Sequence, residues 1–129
     1  MSCPVIPEDI ARFILDKIDT VAQLEGLLIL WSTADGEWSA QSLADRLYIT
    51  EEETADLLRI LCTRELIINK AGKPPLFQYQ PSSTELKEKM DRLARLYSKN
   101  LLAVTNLIHS KPKTRVQQFA DAFKLRKKE

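Results

Sequence analysis

Apolar residues recur at helical spacing near the start of the chain. Ile10, Phe13, Ile14 and Ile18 fall three and four apart, which predicts a short helix over 8–18. Leu24, Leu27, Leu28 and Trp31 repeat the pattern one segment later. Thr20 and Gln23 have the spacing of a capping box, so a second helix is expected to start there. Glu37, Trp38 and Ser39 form a brief extended stretch, with Ser39 as the N-cap of a helix that turns Leu43, Ala44 and Leu47 inward and Trp38 placed to staple onto Leu43. After the turn "YIT", Thr50 and Glu53 make another capping box. The helix they open buries Leu57, Leu58 and Leu61, together with Ala55.

The period then changes. "LIIN" at 66–69 is apolar and β-branched, "KAGKPP" is a turn, and "LFQYQ" at 76–80 alternates. These residues predict a β-hairpin. Two helices joined by a turn, followed directly by a hairpin, make a winged helix-turn-helix. The expected fold class is mainly α with a small β-hairpin, extended by a long C-terminal helix.

That last helix is read as unbroken over 82–110, with Ser82 and Glu85 as its capping box. Leu86, Met90, Leu93, Tyr97, Asn100, Val104 and Leu107 alternate spacings of four and three, the seam of a coiled coil. Leu96, Leu101 and Ile108 widen it. The seam is read as a homodimer interface, with Asn100 available to fix register. The competing reading is packing against the chain's own domain. The resulting organisation is an N-terminal helix (1–19), the winged domain (20–81), the long helix (82–110) and a tail (111–129).

Residues 39–79 resemble the winged helix-turn-helix of MarR-type bacterial transcriptional regulators. The likeness rests on Leu43-Ala44, Leu47, Ile49-Thr50, Leu61 and Leu66-Ile67, followed by the hairpin. It departs at Tyr48 and Glu65, where such proteins often carry glycine. Glu65 is therefore expected in a left-handed conformation or at a differently ended helix. The resemblance implies DNA contacts: Thr50, Thr54 and Arg59 facing the groove, Gln41 and Arg46 near the backbone, and Lys70 and Lys73 on the wing.

Charge complicates that implication. The chain carries a net charge of +1, but residues 36–80 hold seven acidic and five basic side chains, a net of −2. Four of the acids, Glu51, Glu52, Glu53 and Asp56, cluster at the end of the third winged-domain helix that faces base edges in such proteins. Carboxylates suit a helix N-terminus on dipole grounds alone, but they repel the phosphates that supply most non-specific DNA affinity. Two partner classes therefore stay open: double-stranded DNA, or a protein bound through the acidic helix or the tail. The tail carries a net +5, and Val116, Phe119 and Phe123 lie on one face of a short amphipathic helix expected to dock.

Catalytic chemistry finds little support. The chain shows no nucleophile–base pair, phosphate loop or metal cluster, and its single histidine, His109, lacks an acidic partner pattern. Neither an enzyme nor a cofactor is expected. Cys3 and Cys62 read as two reduced thiols of a cytoplasmic protein, with a disulfide as the alternative. The longest apolar run, "LLILW", is too short to span a membrane.

Overall fold

The computed structural model describes residues 6–110. Helix α1 (Glu8–Lys17) leads into α2 (Val21–Ser32), α3 (Ala40–Leu47) and α4 (Glu51–Thr63). Strands β1 (Ile67–Lys70) and β2 (Leu76–Tyr79) form the wing, and α5 (Thr84–Lys99) follows. A sixth helix, α6, covers residues 101–110. The fold is a winged helix-turn-helix, mostly helical with one antiparallel hairpin.

Local chemistry sets most boundaries. The Thr20 hydroxyl accepts from the Gln23 amide, but the Gln23 side chain turns back to accept from the Asp19 amide, so only half of the expected box forms. In α3, Ser39 is capped reciprocally by Ser42. In α4 the Thr50–Glu53 box is complete. Helix α5 is capped by Ser83 rather than Ser82, and the Ser82 hydroxyl donates instead to the Glu65 carboxylate.

The hairpin pairs Ile67 with Tyr79 and Lys70 with Leu76. Trp38 adds a single bridge to Phe77, its amide and carbonyl both bonded to that residue's backbone. This places the predicted extended stretch against the wing. One core runs beneath the winged domain and its flanking helices: Leu24, Leu27, Leu43, Leu58, Leu61 and Leu66 are fully buried. Gly26 lets α2 approach α4, because an added Cβ would lie 3.2 Å from the Leu57 methyl. Ala55, expected inside, is exposed.

Two corrections concern the C-terminal half. The helix over 82–110 is not continuous: Asn100 leaves helical geometry at φ −132° and ψ 53° as the C-cap of α5, and α6 starts after it. A coiled-coil seam needs an unbroken heptad, so the break divides the predicted one. Met90, Leu93 and Val104 from that seam are fully buried within the chain's own core, while Leu86, Tyr97 and Leu107 pack at its edge and Asn100 is exposed. Six of the seven seam positions thus follow the competing reading, packing on the chain's own domain. Leu101 and Leu102 remain exposed.

Candidate interaction surface

The turn between α3 and α4 is closed by Tyr48 at φ 60° and ψ 40°, its amide donating to the Ala44 carbonyl at 2.8 Å. Left-handed backbone disfavours a side chain, and this ring is 93% exposed, so local packing does not offset the strain. Glu65 adopts φ 67° after α4, in line with the expectation from its place in the pattern. Its backbone carbonyl and carboxylate both accept from Ser82, which holds the turn to the segment entering α5.

Between these two left-handed residues α4 has sharply different faces. Leu57, Leu58 and Leu61 point into the core. Thr54, expected to face a groove, is fully buried, and its hydroxyl donates to the Thr50 carbonyl at 2.9 Å. It cannot read a base. Thr50 is exposed, but its side-chain oxygen accepts the capping bond from the Glu53 amide. The outward surface is therefore built from Glu51, Glu52, Glu53, Ala55, Asp56 and Arg59.

The basic residues near this surface are mostly engaged. Arg59 donates to Asp56 at 2.9 Å. Lys70 reaches Glu37 at 2.7 Å. The Arg46 guanidinium lies 5.6 Å from the centre of the Trp38 ring, a cation–π contact. Arg64 is bonded to Asp19 and to the Asp16 carbonyl, tying the end of α4 to α1. Gln41 and Lys73 are exposed. The six predicted DNA contacts other than Thr54 thus lie on or near the α3–α4–wing surface, but three of their four cations are held by acidic or aromatic side chains of the same chain.

The Asp56–Arg59 pair has the i,i+3 spacing of helix-surface partners, a local signal that the groove-facing assignment of Arg59 passed over. The Glu37–Lys70 and Trp38–Arg46 contacts depend on how the hairpin closes over the turn before α3, and no local signal marks them. Beside α4 lies a groove of about 310 Å³ lined by Ala22, Ile49, Leu57 and Ile60 together with the polar and acidic Thr20, Gln23, Glu53 and Asp56. Neither Ile49 nor Ile60 stood out in the sequence as a surface feature. Cys62 is a free, half-buried thiol, and burial pushes its pKa up. Val116, Phe119 and Phe123 lie outside the described residues. No helix among the described residues is long and apolar enough to cross a membrane.

No protein-family model matches the chain, and no curated protein matches it. Solved structures do. Reduced HlyU from Vibrio cholerae N16961 is 27% identical, with a TM-score of 0.53, over 69% of this chain and 90% of that one. Another structure of HlyU from the same organism is 25% identical, with a TM-score of 0.53, over 72% of this chain and 99% of that one. HlyU is a winged-helix, ArsR/SmtB-like transcriptional regulator. The likeness supports a winged-helix regulator, and it does not extend to the narrower MarR-type resemblance.

Proposed function

We propose that this protein is a winged-helix transcriptional regulator whose α4 face binds a basic protein segment rather than the DNA backbone. The observation that carries this reading is the charge left over on α4. Glu51, Glu52 and Glu53 open the helix, and Arg59, the cation on the same exposed surface, is already paired with Asp56. A docked duplex would bring phosphates against uncompensated carboxylates. A basic peptide would neutralise them.

A second reading is a homodimeric regulator that binds duplex DNA, supported by the likeness to HlyU. Its contacts would be Gln41, Arg46, Thr50, Arg59, Lys70 and Lys73, with Thr54 removed from the set. Its dimer face would use the exposed Leu101 and Leu102 in place of the buried part of the seam.

Fluorescence anisotropy with random and genomic duplexes separates the two. Under the first reading the full-length protein shows no duplex binding that depends on the α4–wing surface. Under the second, low-salt binding falls steeply as salt rises, with a log–log slope of about −5 for roughly six phosphate contacts, and is lost in Arg46→Ala/Lys73→Glu. That loss would overturn the first reading. Sedimentation of the same samples reports the oligomeric state.

A further inference from the structure

We infer that the groove between α2 and α4 is the docking site of this chain's own tail, with Phe119 and Phe123 as anchors. The inference rests on the reading that the exposed end of α4 takes a basic segment, and it names that segment.

The groove has the chemistry of an aromatic-anchor site. Ala22, Ile49, Leu57 and Ile60 give it apolar lining beside the polar Thr20 and Gln23, and the charged groups that line it, Glu53 and Asp56, are both acidic. Its volume of about 310 Å³ is twice that of a cavity of roughly 150 Å³ that accepts one benzene ring. Two phenyl rings therefore fit its size. Glu52 precedes Asp56 by one helical turn and extends the acidic surface beyond the groove.

The tail matches each of these properties. Val116, Phe119 and Phe123 are spaced three and four apart, so one face of a short helix would present two rings. Lys124, Arg126, Lys127 and Lys128 follow directly, and residues 111–129 carry a net +5. Phe119 lies nine residues beyond Ser110, the last described residue. Extended chain of that length spans up to roughly 30 Å, comparable to the roughly 35 Å width of a domain of about 100 residues.

The larger groove, about 680 Å³ between α1 and α5, is a poorer match. Three of its four acids are in ion pairs, Glu8 with Arg12, Asp9 with Arg92 and Glu85 with Lys89, and the fourth is Asp16. Arg12, Lys17 and Lys89 also line it. A segment with four cations at its end gains little there. At α4 Asp56 is paired with Arg59, but no cation among the described residues lines the groove, and the same segment meets Glu51, Glu52 and Glu53 on the adjoining turn while its rings meet apolar residues.

Docking of this kind makes the α4 face self-occupied. An external basic partner, or a duplex under the second reading, must displace the tail to reach α4. The tail then acts as a built-in competitor.

Amide chemical shifts of the full-length protein test this. Replacing Phe119 and Phe123 by alanine in the intact chain should shift the amides of Ala22, Gln23, Ile49, Leu57 and Ile60, with no change on dilution. A synthetic peptide of residues 111–129, added to that variant, should restore the original positions. Asp56→Lys placed in the Phe119→Ala/Phe123→Ala chain should weaken the peptide by about tenfold, the effect of losing one well-placed charge contact. Changes confined to the tail's own amides would overturn the inference, as would changes gathered on α1 and α5. Dependence on dilution would also overturn it, because the tail would then sit on a second copy. The duplex titration judges the α4 reading separately: an α4 that binds DNA leaves the amide map intact, and an empty groove leaves the titration result intact.

Discussion

Helices α4 and α5 are built alike and finished differently. Each starts from a hydroxyl cap with glutamate in its first turn, and each buries an apolar stripe. On α5 three ion pairs form, Glu85 with Lys89, Lys87 with Asp91, and Arg92 with Asp9 of α1, and the exposed charges outside them, Glu88, Arg95 and Lys99, are of mixed sign. On α4 three glutamates and an aspartate share the exposed surface with Arg59. The Arg92–Asp9 pair attaches α5 to α1, and the remaining α5 charges are of both signs, whereas the charges of α4 outside its Asp56–Arg59 pair are all acidic. Surface ion pairs contribute little to stability individually, so this contrast concerns what each face can bind.

The comparison predicts that the buried faces respond alike. Leu58 of α4 and Leu93 of α5 are both fully buried. Replacing either by alanine should lower unfolding stability by about 2–5 kcal/mol, through lost transfer energy and a residual cavity. Urea unfolding followed by circular dichroism measures both. A loss under about 1 kcal/mol at one of them would mean that its helix is not anchored as described.

The next effect belongs to α5. The Trp31 indole N–H donates to Asp91 at 2.7 Å, joining α2 to α5. Asp91→Ala leaves that donor unpaired and should cost about 1–2 kcal/mol. The same bond holds the Asp91 carboxyl below its usual range, with Lys87 and Arg95 adding to the effect against the opposing influence of burial. A depressed folded-state pKa gives stability that is present above the unfolded value, near 3.8, and lost as pH falls through the folded one. Acid unfolding of the wild type should therefore include a component below pH 3.8 that Asp91→Ala lacks. Equal acid midpoints for the two proteins would remove Asp91 from the explanation.

Much of the fold was legible because its signals are local. Thr50 with Glu53 marked the start of α4, period-two alternation marked β2, and the missing glycine at 65 pointed to left-handed backbone. The break at Asn100 was not legible, since the four–three apolar spacing continues through it. A heptad records which side is buried, and it does not record whether the backbone stays helical between two buried positions. Thr54 was misplaced for a related reason. A polar side chain suggested exposure, but its hydroxyl is satisfied by the carbonyl one turn earlier, and its position belongs to the buried stripe. The state of the surface cations depended on tertiary closure, which brings Glu37 to Lys70 and Trp38 to Arg46.

A smaller effect sharpens the account of how α4 begins. Thr50→Ala removes the oxygen that accepts from the Glu53 amide and should cost about 1 kcal/mol. Thr50→Ser keeps that acceptor and should cost much less. Thermal melts of the pair distinguish capping from any direct role of the threonine in recognition, since binding should follow only the stability change.

The smallest stability effect is expected where the contrast between the helices is greatest. Glu51 and Glu52 lie in the first turn of α4, where each carboxylate gains about 0.3–1 kcal/mol from the helix dipole. They also repel Glu53 and Asp56, which offsets part of that gain. The double change Glu51→Gln/Glu52→Gln should therefore leave stability within about 1 kcal/mol of the wild type. It should still weaken binding of the tail peptide in a chain carrying Phe119→Ala and Phe123→Ala, because it removes charge without disturbing Thr50, Glu53 or the core. Urea unfolding and peptide titration on the same samples measure both quantities. A loss of more than about 2 kcal/mol, beyond what two first-turn carboxylates supply, would make these acids structural. The excess charge on α4 would then be consumed by the fold, and the contrast with α5 would disappear.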